Sequence, residues 1–118
     1  MKCDMDLLRN MLLLIEADND VPPKTLKPEA FLDLCDNLAV IALHIELLND
    51  YGFVELRKMP NKAYEIIRIT GAGYAYLNSV RSAKVWRNVK EKLSVVGGAG
   101  IEVIKTLAVE EVKKILGI

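Results

Sequence analysis

His44 is the single histidine of the chain, and two cysteines, Cys3 and Cys35, are its only thiols. Cys35 precedes His44 by nine residues, a pairing that invites a thiolate–imidazole nucleophile or a metal site. A metal needs roughly three or four such donors brought together, and a nucleophile needs a base that is itself oriented by an acid. One imidazole and two scattered thiols supply neither, so no catalytic residue, metal or cofactor is expected, and the thiols read as reduced and cytoplasmic. The neighbours of His44 on its own helical arc are apolar, which predicts a buried imidazole bonded to a backbone carbonyl. "TGAGYA" and "VVGGAGIEV" lack the Gly-Lys-Ser/Thr ending of a phosphate loop and read as a turn and a hinge.

The remaining chemistry is charge. Arg81, Lys84, Arg87, Lys90 and Lys92 stand against Glu91 alone between residues 81 and 93, and Arg57, Lys58 and Lys62 form a second cluster. Such residues touch phosphates without reading bases. The chain as a whole carries 16 basic and 16 acidic residues, so any attraction to a polyanion must be local. A solvated helix face with ordinary lysines accounts for the same pattern, and both readings stay open.

These residues must be positioned by an ordered set of elements. At 118 residues and 52% hydrophobic content the chain suits one structural domain with a real core. Met5, Leu8, Met11, Leu12 and Ile15 share one face of a first helix running from Asp4 to about Ala17. Three prolines deny regular structure to "NDVPPKTLKP", and "EAFLDLC" has room for two helical turns. Asp36 is the expected N-cap of a third helix over 37–51, ended by Gly52. "FVELRKM" and "AYEIIRI" predict a two-stranded hairpin, after which Thr70 caps a further helix. The apolar stripe changes phase near Ser82, with Trp86 as a core anchor on the second arc. "GGAG" is a hinge before a last helix bearing Ile104, Leu107, Ala108, Val112 and Ile115 on one side. The expected class is α+β and mostly helical: a winged helix-turn-helix-like core over 1–81, with a two-stranded hairpin, and a C-terminal helical extension over 82–118. No apolar run approaches the roughly 18 residues that a membrane span requires, so a soluble protein without a signal peptide is expected.

In that architecture the third helix occupies the DNA-reading position. Val40, His44, Leu47 and Tyr51 lie on one arc, taken as the core side, and Leu38, Ile41, Ala42 and Ile45 lie on the other. Its charges are Asp36, Glu46 and Asp50, with no lysine or arginine, so conventional groove reading is not expected. Four apolar side chains on the outer arc instead ask for cover, by the C-terminal helix or by another chain.

Three stretches in register, "MKCDMDLLRNMLLLIE", "IALHIELLNDYGFVE" and "ITGAGYAYLNSVRSAKVWRNVKEK", resemble a family of short, uncharacterised proteins common in phages and prophages and described only as a domain of unknown function. The motifs are an MKxDMDLxR start, a central IxxHxxLLxxxG and a TxxGxxxLxxxRxxxxWxxxK. They fall on Asp4, Met5, Asp6, Leu7 and Arg9, then His44, Leu47, Leu48 and Gly52, then Thr70, Gly73, Leu77, Arg81, Trp86 and Lys90. Cys3, Tyr74 and Asn78 depart from it, standing where a basic residue, a histidine and an acid are usual. The resemblance implies a winged-helix-like fold and a mobile-element setting, and it brings no activity. Two functions are expected. One is a non-enzymatic DNA-associated accessory or regulatory protein using Arg57, Lys58, Lys62, Arg81, Lys84, Arg87 and Lys90 on phosphates. The other is a homodimerisation or adaptor module using Leu38, Ile41, Ala42 and Ile45. Neither involves a membrane or a small-molecule substrate.

Overall fold

The computed structural model describes residues 3–17, 24–96 and 101–117, so the hinge expected at 97–100 and the Pro22–Pro23 pair lie outside the described residues. The chain divides into two compact units, Met1–Tyr74 and Ala75–Ile118. The first holds α1 (Met5–Ala17), β1 (Lys24–Leu26), a 3-10 helix (Pro28–Phe31), α2 (Leu38–Asp50), β2 (Val54–Met59), β3 (Ala63–Ile69) and the start of α3 (Gly71–Val80). The second holds the rest of α3, α4 (Ala83–Val96) and α5 (Ile101–Leu116). The class is α+β with a predominance of helix. No helix among the described residues is long and apolar enough to cross a membrane.

Asp4 starts α1 by accepting the Leu7 N–H on its side-chain oxygen at 3.2 Å, the N-cap chemistry that satisfies an orphan donor. The helix buries Leu7, Leu8, Met11 and Leu12. The sheet has three antiparallel strands in the order β1-β3-β2, not two. Lys24, Thr25 and Leu26 pair with Ile66, Glu65 and Tyr64. Proline density hid this strand, yet an edge strand pairs on one side only, and these three residues contain no proline. Asn61 and Lys62 close the β2–β3 hairpin at φ 62° and 60°, the left-handed pair of a type I′ turn whose twist matches the strands. The expected two-turn helix over "EAFLDLC" is reduced to the 3-10 helix.

The N-cap of α2 is Asn37, not Asp36; its side chain accepts from Ala39 N at 3.0 Å and Val40 N at 3.2 Å. The buried arc of α2 is Ile41, His44, Ile45 and Leu48, and the helix packs against the 3-10 helix, β2 and α1. This corrects the expected orientation: Val40 and Leu47 are only half-buried and Tyr51 is exposed. The helix is apolar on most sides, so periodicity left two arcs competing, and packing against the 3-10 helix, β2 and α1 took the one with two isoleucines.

Gly52, at φ 77°, ends α2. Gly52 N donates to Asn49 O and Phe53 N to Leu48 O, both at 2.9 Å, which is the Schellman pattern of paired terminal bonds. The same turn receives α3. Thr70 N donates to Phe53 O at 2.9 Å, the Thr70 hydroxyl donates to Gly52 O, and Gly73 N donates to Thr70 Oγ1 at 3.0 Å. Gly73 sits so close that a Cβ there would lie 2.1 Å from Phe53 O and 2.8 Å from Ile69 Cγ2.

In the second unit the helical stretch breaks where the apolar stripe changes phase. Ser82 caps α4, its hydroxyl accepting from Val85 N at 3.3 Å. Val85, Trp86 and Val89 are buried on α4, which packs against α5. On α5 the buried residues are Ile104, Ala108 and Glu111; Ile115, expected on the core side, is 51% exposed.

Gly73→Ala tests the turn. The obstructing atom is a backbone carbonyl that already accepts a hydrogen bond, so relief requires moving α3 against the hairpin base, at a cost of about 3 kcal/mol. Chemical denaturation should show that loss, whereas Gly71→Ala, with open space at its Cβ, should leave stability unchanged or raised.

Candidate functional site

His44 is completely buried. Its Nε2 accepts the Asp4 N–H at 2.8 Å and its Nδ1 lies 2.7 Å from the Val40 carbonyl. An amide N–H can only donate and a carbonyl can only accept, so the ring is the neutral Nδ1–H tautomer with both nitrogens engaged. It bolts the start of α1 to the second turn of α2 and offers nothing to a metal or substrate. Among the described residues, no group of three or more His, Cys, Asp or Glu side chains could hold a metal ion. Cys35 Sγ donates to Asn37 O at 3.8 Å. Partial burial pushes the Cys3 thiol above its ordinary value, opposed by a hydrogen bond from Tyr51, which is the reverse of an activated thiolate.

The hairpin cations are largely spent within the sheet. Arg57 and Glu65 are register partners joined at 2.5 Å, as are Arg68 and Glu55. Lys58 reaches across to Glu46 of α2 at 2.6 Å, and hydrogen bonding to that carboxylate raises the Lys58 ammonium above its usual value. Exposed pairs add little to stability, but they cancel part of the local field that phosphates would feel. Of the three basic residues expected on the wing, only Lys62 is in no ion pair among the described residues.

The basic residues of the second unit are placed differently. Arg81, Lys84, Arg87 and Lys90 are all exposed, the last three at i, i+3 and i+6 along α4. Arg81 donates to Asn78 Oδ1 at 3.0 Å. Among the described residues, Lys84 and Arg87 are in no ion pair. Charge is also divided between the units: Met1–Tyr74 contains eight basic and twelve acidic residues, Ala75–Ile118 eight basic and four acidic. An overall charge of zero conceals this segregation.

Lys92 is turned inward. It pairs at 2.5 Å with Glu111, which also accepts from Asn88 Nδ2 at 3.1 Å and has Lys114 at 3.6 Å. The Lys92 bond, ahead of the other contacts, holds the Glu111 carboxyl below its ordinary value of 4.5 and raises Lys92 above 10.5. Periodicity pointed to Ile115 and Val112; a glutamate between apolar positions carried no sign that it would face inward.

The four residues expected as an interface separate into two kinds. Ile41 and Ile45 are fully buried, whereas Leu38 is 42% exposed and Ala42 is half-buried. Leu38 and Ala42 line a surface pocket of about 410 Å³ together with Lys27, Lys62 and Tyr64. Lys27 and Tyr64 escaped notice in the sequence because their proximity to α2 comes from the pairing of β1 with β3.

Residues 2–99 match a family described as "Hypothetical protein (DUF2513)". The chain belongs to this family. No curated protein and no solved structure matches it. In this DUF2513 chain the matched region takes in the first unit and α4 and ends before α5 begins at Ile101. Asp4, His44, Leu48, Gly52, Thr70 and Gly73, on which the resemblance rested, are the residues that cap, bolt and close the first unit. Leu77 and Trp86 are buried in the second, and Leu47 is half-buried on α2.

Two measurements check these assignments. Long-range proton–nitrogen NMR of His44 should show a protonated Nδ1 and a bare Nε2; the opposite tautomer would remove the Asp4 bolt. A carboxylate whose folded value is lowered contributes stability that is present above its unfolded value and disappears as pH falls through the folded one. The stability difference between the parent and Glu111→Gln should therefore be constant near neutrality and shrink progressively once pH drops below about 4.5, the ordinary value of this carboxyl.

Proposed function

We propose that this DUF2513 chain is a non-enzymatic, DNA-associated accessory or regulatory protein of winged-helix-like architecture that contacts the phosphate backbone through the exposed side of α4. The observation that carries this reading is the run Arg81, Lys84, Arg87 and Lys90 on the surface of a unit with twice as many basic as acidic residues. Lys84, Arg87 and Lys90 follow a spiral about 9 Å long, at 1.5 Å per residue, able to meet neighbouring phosphates on one strand. Contacts of this kind carry no base information.

The winged-helix part of the reading rests on the order helix, strand, helical turn, helix, hairpin. Within it, α2 is not the groove reader: its polar exposed side chains include Asn49 and Asp50 and no cation. On the hairpin, Arg57 and Lys58 remain with Glu65 and Glu46, so the contact rests on the α4 side alone. A phage or prophage setting follows from the resemblance alone. The alternative role as a dimer or adaptor module keeps only Leu38 and Ala42 of its four residues, because Ile41 and Ile45 are buried.

Fluorescence anisotropy with labelled duplex DNA over a salt series tests the reading. With about four phosphate contacts, the plot of log affinity against log salt should have a slope near −4, and Lys84→Glu with Arg87→Glu should flatten it by about two. Absence of salt-sensitive binding at low ionic strength, or an unchanged slope in the double variant, would refute α4 as the contact.

A further inference from the structure

We propose that the pocket bounded by the 3-10 helix, the first turns of α2 and the tip of the β2–β3 hairpin docks an acidic peptide segment of a partner protein through one of its aliphatic side chains. All the residues that line the pocket belong to the first unit. Its volume, about 410 Å³, falls in the range of preformed ligand sites. Leu38, Ala39, Ala42, Pro28 and Tyr64 present mostly apolar surface to it. That surface suits an aliphatic side chain.

Charge complementarity selects the flanking chemistry. Lys27 and Lys62 both line the pocket and both are exposed. Among the described residues neither is in an ion pair, in contrast to Arg57, Lys58 and Arg68 on the same sheet. Among the described residues, Glu29 is the only acidic one that lines it. Asn37 already occupies the Ala39 and Val40 amides, so the two ammonium groups are what a carboxylate would meet. Lys62 is carried there by a left-handed backbone at φ 60°, a conformation few lysines adopt. A long polyanion is the poorer occupant, since the unit around the pocket has twelve acids to eight bases.

The test is an amide-resolved NMR titration of the whole chain with the peptide acetyl-Glu-Leu-Asp-Leu-Glu-amide and its neutral analogue acetyl-Gln-Leu-Asn-Leu-Gln-amide. The acidic peptide should shift the amides of Leu38, Ala39, Ala42 and Lys62 in a saturable manner. The neutral peptide, and the acidic peptide on Lys27→Glu with Lys62→Glu, should bind about tenfold more weakly, the loss of two exposed charge contacts. Both lysines are exposed, so the double variant should keep its fold, checked by the unshifted remainder of the spectrum. Lys84→Glu with Arg87→Glu should leave peptide binding intact, which separates this site from the DNA surface. The proposal is overturned by equal affinity for the two peptides, by shifts elsewhere or none, or by duplex DNA displacing the peptide from these amides.

Discussion

The carbonyl of Phe53 is where the first unit closes on itself. It accepts the Thr70 amide at 2.9 Å and has the Gly73 backbone pressed against it, while the preceding residue ends α2 with a left-handed turn. Three elements thus share one short stretch of backbone: the end of α2, the base of the hairpin and the start of α3. Any side chain at residue 73 would drive them apart, so the direction in which the chain leaves the sheet depends on the absence of one methyl group. The bonds around this point are backbone bonds or hydroxyl bonds to backbone. They set direction without requiring a large core, which suits a unit with a three-stranded sheet and two principal helices.

Buried polar groups do equivalent work elsewhere. His44 satisfies an amide at the entrance of α1 and a carbonyl of α2 from the middle of an apolar face. Glu111 does so between α4 and α5, compensated by Asn88, Lys92 and Lys114. Each is costly to bury unless its partners are in place, so each specifies one register between two helices where apolar packing alone would tolerate several. The surface shows a corresponding economy. Arg57 and Arg68 are matched to carboxylates across the strands and Lys58 to one on α2, while among the described residues Lys84 and Arg87 of α4 and Lys27 and Lys62 at the rim of the pocket beside α2 are in no ion pair. That division lets a chain of zero net charge present one cationic helix and one small cation-flanked apolar cleft.

Much of this was legible in the sequence, and its limits have physical causes. The hairpin, the role of Gly52, the Thr70 cap, the break at Ser82 and the place of Trp86 are local events, written in residues within a few positions of one another. Beyond them, local evidence was ambiguous or misleading. Asp36 and Asn37 are both competent caps, and only the backbone direction after Cys35 chose between them. Residues 24–26 looked like loop because prolines flank them, while the bonds that make them a strand come from β3, some forty residues on. The basic hairpin gave no sign in sequence that Arg57 would lie opposite Glu65 and Arg68 opposite Glu55, a relation set by the cross-strand register.

By itself, then, the sequence determined the family, the class and the order of most elements, because those follow from residue types and short-range periodicity. Tertiary structure alone decided which face of α2 is buried, which lysines and arginines remain without a carboxylate, and that Lys27, Leu38 and Lys62 meet around one cleft. An apolar helix has no intrinsic inside, and an ion pair is a relation between strands. Both are settled only when distant segments compete for the same partners.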